Sequence, residues 1–363
     1  MRRLFALYGC GRYLYQPVAA YSSLYKVYNK CRRFSFQLLM KLPAFFFTPR
    51  LLLPIVLLVF DCHLGAQLTY NELTVQYDSP WTYKKLQLIP VRFKGAGDGG
   101  DSQKNVAFEN GVISFSDALR RNKISIKETS SGGGPDVATL VVKSRSKENI
   151  LLLSGEMVQG GKQDRAFGKT TIIPAGRHKS YVSVFCVEKG RWDDKPKSFR
   201  YAGTADARIR RQIDVTQRQN KVWKEIDNEL TSKKKKNKTS AYLQAYNDSV
   251  QIDTSYLRYF INRMKQSDSS YAGFIAVTGN RIINAELFSG SDLCLAAYIE
   301  MIKSYMHTLT PADGVPNKKH DEIKAFTDKF LADKATQKKY LTTNGRLYYY
   351  GSDVIHLIAY DSP

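Results

Sequence analysis

The stretch "AGFIAVTGNRIINAELFSG", Ala272 to Gly290, constrains the fold more than any other part of the chain. Gly279-Asn280 separates two β-rich runs, and such a pair supplies the turn that joins two antiparallel strands. Directly after it, "SDLCLAAYIEMIKSYMHTL" carries apolar residues at helical spacing, with Ser291 or Asp292 placed to cap the first turn. A hairpin feeding a helix that must bury one face implies a sheet covered by helices.

The residues before this point read mostly as strands. "LTYNELTVQYD" and "LQLIPVRFKG" show alternation or short apolar runs, and Gly95 to Gln103 is a loop by composition. Ser116 is the expected N-cap of a short helix, followed by a strand from Ile124 to Glu128. "SSGGGPD" then turns the chain into "VATLVVKSRS" and "NILLLSGE". "TTIIPA" and "YVSVFCVE" are expected to form a hairpin across Gly176–Lys179. From Ala205 to Leu230 the pattern becomes helical, with Val222, Ile226 and Leu230 four residues apart, and "SYLRYFINRMKQ" is a second helical stretch. "GRLYYYGSDVIHLIAYD" closes the chain as a strand pair, Tyr348–Tyr350 reading as an edge strand. The fold class is α+β, with an antiparallel, strand-rich first half and helices mainly in the second half.

The start of the chain has a different character. Met40-Lys41, Arg50, the apolar run Leu51 to Phe60 and "DCHLGAQ" read as a secretory signal cut after Ala66, leaving Gln67. The run of about ten residues is short of the roughly 20 that span a bilayer. Residues 1–39 are rich in Tyr and Arg. They read either as an over-extended start, with Met40 the true first residue, or as an amphipathic arm or transit peptide. The division is therefore an arm at 1–39, a signal at 40–66, a β-rich half at 67–203 and a helical and hairpin half at 204–363, the last two expected in one compact domain.

Removing residues 1–66 takes nine of the 55 basic and one of the 33 acidic residues, so the net charge falls from +22 to +14. The remainder is still basic, which favours anionic ligands or surfaces. The block Lys233–Lys238 reads as a solvated loop, and without an RNA-binding or helix-turn-helix signature no nucleic-acid partner is expected. Cys186 and Cys294 are too few for a disulfide framework, and one bridge stays open. Histidines 178, 307, 320 and 356 lack metal-ligand spacing, so neither a metal nor a cofactor is expected.

"SGEMVQGGKQDRAF", Ser154 to Phe167, poses the functional question, because a strand fit for burial runs straight into Glu156, Lys162, Gln163, Asp164 and Arg165. If the loop of the expected hairpin is centred near Arg177, residues whose numbers sum to about 354 face each other. Arg165 then lies opposite Lys189 and Gln163 opposite Arg191, with Glu188 and Trp192 nearby. Two arginines offer forked donors to phosphate or carboxylate, and a desolvated Glu156 or Glu188 suits acid–base work. Arg165, Arg191, Lys162, Gln163 and Trp192 are thus the candidate ligand contacts, and Glu156 and Glu188 the candidate catalytic pair. The alternative is that these charges only brace the end of a sheet.

"GEMVQGGKQDR", "IIPAG", "VSVFCVEKGRW", "VWKEI" and "GFIAVTGNRIINAELF" together resemble one family. It is the first of the domain families named for occurring beside ADP-ribosylglycohydrolases and rhodanese-phosphatase-superfamily enzymes, a domain of unknown function. The resemblance runs from the Leu86–Val91 strand to the helix ending near Leu309. It is carried by Gly155, Glu156, Gly160, Lys162, Gln163 and Arg165, and by Cys186, Val187, Glu188, Gly190, Arg191 and Trp192. Asp164 stands where Asn is usual, and Arg208–Arg211 match a Leu-Arg position loosely. The resemblance implies genomic company with enzymes acting on ADP-ribose-like or phosphorylated compounds, and no established activity.

The expected function is an exported protein that binds or processes a small anionic, phosphate- or nucleotide-derived ligand. The rival is a non-catalytic structural or interaction module of the cell envelope. Export has a direct readout. N-terminal sequencing of the protein recovered from the periplasm or medium should begin at or near Gln67, and a product that retains residues 1–66 overturns the signal assignment.

Overall fold

The computed structural model describes residues 68–95, 108–131, 134–192, 197–248, 253–267 and 270–361. The arm, the signal segment, its expected cleavage site and most of the expected Gly95–Gln103 loop lie outside these residues. Residues Leu64–Pro363 form one compact unit by contacts.

Three sheets are built from sixteen strands among the described residues. The first holds β1 (Leu73–Val75), β2 (Trp81–Tyr83) and β3 (Leu86–Phe93), joined by four strands from the end of the chain. These are β13 (Tyr271–Thr278), β14 (Arg281–Phe288), β15 (Gly345–Tyr350) and β16 (Asp353–Ala359). The order is β1-β3-β13-β14-β16-β15, with β2 also on β3 and every pairing antiparallel. The expected hairpin is present, Thr278 facing Arg281 across Gly279-Asn280, and Tyr348–Tyr350 do lie in the edge strand.

Strands β13 and β14 are buried almost throughout because both faces of the sheet are covered. Successive side chains point to opposite faces. Phe274 and Ala276 pack with Phe260, Tyr298 and Met301, whereas Ile275 and Val277 pack with Phe326, Phe330 and Leu341. The first group comes from α5 (Thr254–Lys265) and α6 (Ser291–Thr308), the second from α7 (His320–Leu331) and α8 (Lys334–Asn344). Helix α6 starts at Gly290, not at a side-chain cap, and the Asp292 carboxylate instead accepts from the Leu293 backbone N–H.

The middle of the chain builds the other two sheets. A six-stranded sheet runs β12 (Lys197–Thr204), β8 (Glu156–Gly161), β9 (Arg165–Phe167), β11 (His178–Cys186), β6 (Gly134–Ser144), β5 (Ile124–Ser131). A three-stranded sheet holds β10 (Thr171–Ile173), β7 (Asn149–Leu152) and β4 (Val112–Ser114), with β4 parallel to β7, the exception to the antiparallel pattern. One face of the larger sheet packs on the smaller one and on α1 (Phe115–Arg120) through Phe115, Ile150, Leu152, Val158, Phe167 and Val184. Its other face presents Met157, Ala166 and Val187 to α2 (Ala207–Arg211), α3 (Gln219–Ser232) and α4 (Tyr242–Asp248). Ser114, two residues before the expected Ser116, caps α1 by accepting from the Asp117 N–H.

The hairpin expected across Gly176–Lys179 does not form. β10 pairs with β7, while β11 pairs with β6 along His178–Ser183 and meets β9 only over Val184–Cys186. The reason is burial on two sides: Ile172 enters the core under α6 and Ile173 the core under α1, so β10 leaves its sequence neighbour to lie between them. Facing residues of β9 and β11 consequently sum to 351, placing Arg165 opposite Cys186 instead of Lys189.

One buried ion pair ties these layers together. Arg210 on α2 makes two 2.7 Å hydrogen bonds to the Glu286 carboxylate on β14, and both side chains are fully buried. Tyr305 and Asn284 also donate to Glu286, and Arg210 overrides burial to hold this carboxyl far below its usual range. After α2 the chain widens into one π turn, Gln212–Thr216, where Asp214 accepts hydrogen bonds from Ser154, Tyr348 and Tyr360. Gly155, at φ +81°, lies against Arg210: a Cβ there would stand 2.5 Å from its Cγ.

Breaking one partner of a buried, hydrogen-bonded pair costs about 3–5 kcal/mol, whereas an apolar pair of similar volume is often neutral. Urea denaturation should therefore show Arg210→Met destabilised by roughly that amount, with Arg210→Met/Glu286→Leu recovering at least half of the loss. A single variant as stable as wild type would remove the pair from its central role.

Candidate functional site

The seven residues singled out from the sequence divide between two places. Glu188, Arg191, Arg165, Gln163, Lys162 and Trp192 gather where β8 ends in Gly160-Gly161. Glu156 begins β8 and faces a different set of neighbours.

At the glycine end, Arg191 spends four of its five N–H donors on the protein and keeps one Nη1 hydrogen on a side chain 28% exposed. Its Nε donates to Glu188 at 2.6 Å, Nη1 to the Gly161 carbonyl at 3.0 Å, and Nη2 to Asp164 at 2.9 Å and the Gly160 carbonyl. Glu188 also accepts from Thr239, and Asp164 accepts from the Gly160 N–H. Burial pushes the Asp164 carboxyl up from its usual value. Gly161 answers the question raised by its sequence: at φ +55°, a Cβ would strike the Phe199 ring at 2.2 Å, so only glycine lets these carbonyls turn toward Arg191.

Arg165 is sealed, 2% exposed. Its Nη1 donates to Gln163 Oε1 and the Asp164 carbonyl, its Nη2 is 4.0 Å from Glu128, and its buried Nε meets no hydrogen-bond partner. The Gln163 amide donates to the Lys189 carbonyl, and Glu128 accepts from the Lys162 N–H. Lys162 Nζ sits 4.8 Å from the centroid of the half-exposed Trp192 ring, a cation–π contact. Glu128 and Asp164 complete this cluster. Glu128 escapes notice in the sequence because it sits on a strand thirty-odd residues away.

Glu156 is 1% exposed and belongs to a second constellation. Its Oε2 accepts from the Leu153 N–H at 2.7 Å, and its Oε1 lies 3.2 Å from the Tyr201 hydroxyl. Tyr201 donates to Glu300 Oε2 at 2.5 Å, and Lys303 and Thr204 also donate to Glu300. A phenol carries a single hydrogen. Spending it on the shorter contact to Glu300 leaves the 3.2 Å contact to a proton on Glu156. Burial first, and then the charge of Glu300, push the Glu156 carboxyl up to about 8, in agreement with that assignment. The chain thus runs from a neutral Glu156 through Tyr201 to Glu300, which Lys303 holds.

Glu300 and Lys303 line a cavity of about 370 Å³ between α1 and α6. Val112, Ile113, Leu295, Ala296 and Ile299 form its apolar side, and Asp117, Arg120 and Asp292 its polar rim. Glu300, Tyr201 and Lys303 are absent from the sequence-level candidates. The available signal is Glu300 itself, a carboxylate on the same helical face as Leu293, Ala297 and Ser304, all buried.

Cys186 and Cys294 are both free and buried. His356 is fully buried, 3.0 Å from the Thr170 hydroxyl, and the described residues contain no cluster of His, Cys, Asp or Glu fit to hold a metal. No described helix is long and apolar enough to cross a membrane.

Between pH 4.5 and about 8 the folded state keeps a proton on Glu156 that the unfolded chain has released. Its contribution is fully present below the unfolded value and is lost as pH rises through the folded one. Glu156→Gln stays neutral at every pH. Urea titrations from pH 5 to 8.5 should show wild type losing about 4 kcal/mol more than the variant across the window. Parallel profiles would put the proton elsewhere.

No curated protein and no solved structure matches the chain. A family model does, over residues 74–355, a span that includes both Glu156 and the Arg191 cluster. The chain belongs to the ARPP-1 family, the ARG and Rhodanese-Phosphatase-superfamily-associated Protein domain.

Proposed function

We propose that the protein binds a small neutral or cationic polar molecule, a polyol or an amine, in the cavity between α1 and α6 and exchanges a proton with it at Glu300. The observation that carries this reading is the hydrogen-bonded chain from Glu156 through Tyr201 to a carboxylate in the cavity wall. The chain can deliver a proton: as Tyr201 passes its hydroxyl hydrogen to Glu300, Glu156 passes its own to Tyr201, which leaves Glu156 charged and Glu300 able to donate to a hydroxyl or amine of the ligand. Glu156 holds that reserve proton at neutral pH. Glu300 is the group that touches the ligand, and Tyr201 and Glu156 act through it.

Charge decides against phosphate in this cavity. Arg120 is already paired with Asp117 and Lys303 with Glu300, which leaves Asp292 as the uncompensated charge of the rim. Hydroxyl and ammonium donors suit such a rim, and Leu295 and Ile299 offer apolar contact to a carbon skeleton.

The anion site expected at Arg165 and Arg191 finds less support. Every nitrogen of Arg191 already donates to the protein, and Arg165, as buried as Glu300 at 2% exposure, does not line the cavity that Glu300 reaches. That geometry favours the bracing role for this cluster, with Glu188 and Asp164 as its counter-charges.

Isothermal titration of wild type with a panel of polyols, amines and phosphate esters, repeated in buffers of different ionisation enthalpy, tests the proposal. Expected is at least one polyol or amine whose binding exchanges a proton near pH 8, with Glu156→Gln losing the exchange and Glu300→Gln losing affinity at least tenfold. Binding without proton exchange, equal affinity in Glu300→Gln, or no binding from the panel overturns it.

A further inference from the structure

The lysine block that follows α3 is not free in solvent on all sides. Lys233, Lys234 and Lys235 form one wall of a second cavity, about 490 Å³, whose other walls are Tyr256 and Asp253 on and before α5, and Met306, His307, Leu309 and Pro311 at the end of α6. The backbone places the lysines there. Lys234 takes φ +54°, and the N–H groups of Lys234 and Lys235 donate back to the Thr231 and Leu230 carbonyls, closing the helix with a left-handed cap.

Lysines after a helix C-terminus have a plain structural use, since they offset its negative end. Two observations go beyond that use. The first is unbalanced charge. Lys233 is held by Glu229, but among the described residues the Lys234 ammonium meets no carboxylate. Asp253, the one acid of the cavity lining, is already 2.5 Å from Lys84. The second is His307, 4% exposed in the cavity lining, with a buried Nδ1 that meets no hydrogen-bond partner. Its ring stacks on Tyr246 at 3.6 Å between centroids. Burial, then Lys233 and Lys303, push its pKa down to about 3, so the ring stays neutral and keeps one donor and one acceptor. A buried polar atom without a partner costs free energy that a bound group would restore.

We propose that this cavity binds a small phosphomonoester that carries an aromatic ring, a molecule of mononucleotide size. Lys234 contacts the phosphate, His307 supplies a neutral hydrogen-bonding group, and Tyr256, Met306 and Leu309 pack against the ring. The volume lies within the range usual for small-molecule sites, and the combination of an apolar wall with a few convergent polar groups is their common form. Lysine binds phosphate as a point charge, without the forked geometry arginine requires. This site is separate from the cavity at Glu300, with opposite charge preference, although α6 lines both and sets Glu300 and His307 seven residues apart, about 10 Å along its axis.

The test is calorimetric titration of the full chain with AMP, adenosine and inorganic phosphate. AMP should bind, adenosine and inorganic phosphate should each bind at least tenfold more weakly, and AMP affinity should fall with added salt. Lys234→Ala, at an exposed position whose loss leaves the core intact, should weaken AMP at least tenfold. Glu300→Gln should leave AMP binding within twofold, which separates this outcome from the fate of the acid–base proposal. In ¹⁵N spectra of histidine-labelled protein, AMP should move the His307 ring nitrogens and leave His178 unmoved. No AMP binding at millimolar concentration, equal affinity in Lys234→Ala, adenosine binding as tightly as AMP, or an unmoved His307 resonance would each overturn the proposal.

Discussion

The Arg210–Glu286 pair is the interaction on which the rest of the molecule depends. A guanidinium and a carboxylate, both fully buried, need forked geometry and further hydrogen bonds to be tolerated. Tyr305 and Asn284 supply these to Glu286 and His356 lies 3.5 Å from it, while the buried Arg210 Nε has no hydrogen-bond partner. Arg210 belongs to the helix that packs under the six-stranded sheet, Glu286 to the central hairpin of the seven-stranded one. The pair therefore fixes how the motif-bearing half of the chain sits on the helical half. Asp214, one π turn further on, repeats the arrangement with Ser154, Tyr348 and Tyr360.

This anchoring explains the position of Glu156. Gly155 yields its side-chain volume to the Arg210 stem, and the residue after it is carried into the interior, within reach of Tyr201 on the neighbouring strand. Helix α6 lies across the same region because its apolar face is spent on the seven-stranded sheet, and Glu300 comes with it. The carboxylate pair is thus a product of two sheets held in register by one helix. The glycine end of β8 has a different logic. There Gly160 and Gly161 turn their carbonyls toward Arg191, and Glu188 and Asp164 balance it, so the charges close on each other.

Local signals carried much of the architecture. Gly279-Asn280, the strand runs on either side, the four-residue spacing of Val222, Ile226 and Leu230 and the long helix after Ser291 all appear where pattern and turn chemistry put them. Strand partnership was not legible in the same way. "TTIIPA" reads as half of a hairpin because alternation says nothing about which neighbour a strand takes, and the two isoleucines chose separate cores. The shift of β9 and β11 by three residues follows from that choice, and it moves Arg165 from Lys189 to Cys186. Helix α8 lacks strong periodicity, since the core it covers needs few anchors such as Leu341, whereas α7 carries a plain helical stripe of Ile323, Phe326, Phe330 and Leu331.

What the amino-acid sequence determined alone is the fold class, the family and the list of polar residues worth testing, because patterning and turn residues act over a few positions. Which of those residues meet was decided by tertiary structure. Glu156 parts from Arg191 and joins Tyr201 and Glu300, residues 45 and 144 positions away, and Lys233–Lys235 meet His307 across more than seventy. Contacts of that range are set by how helices and sheets pack, and no local pattern encodes them.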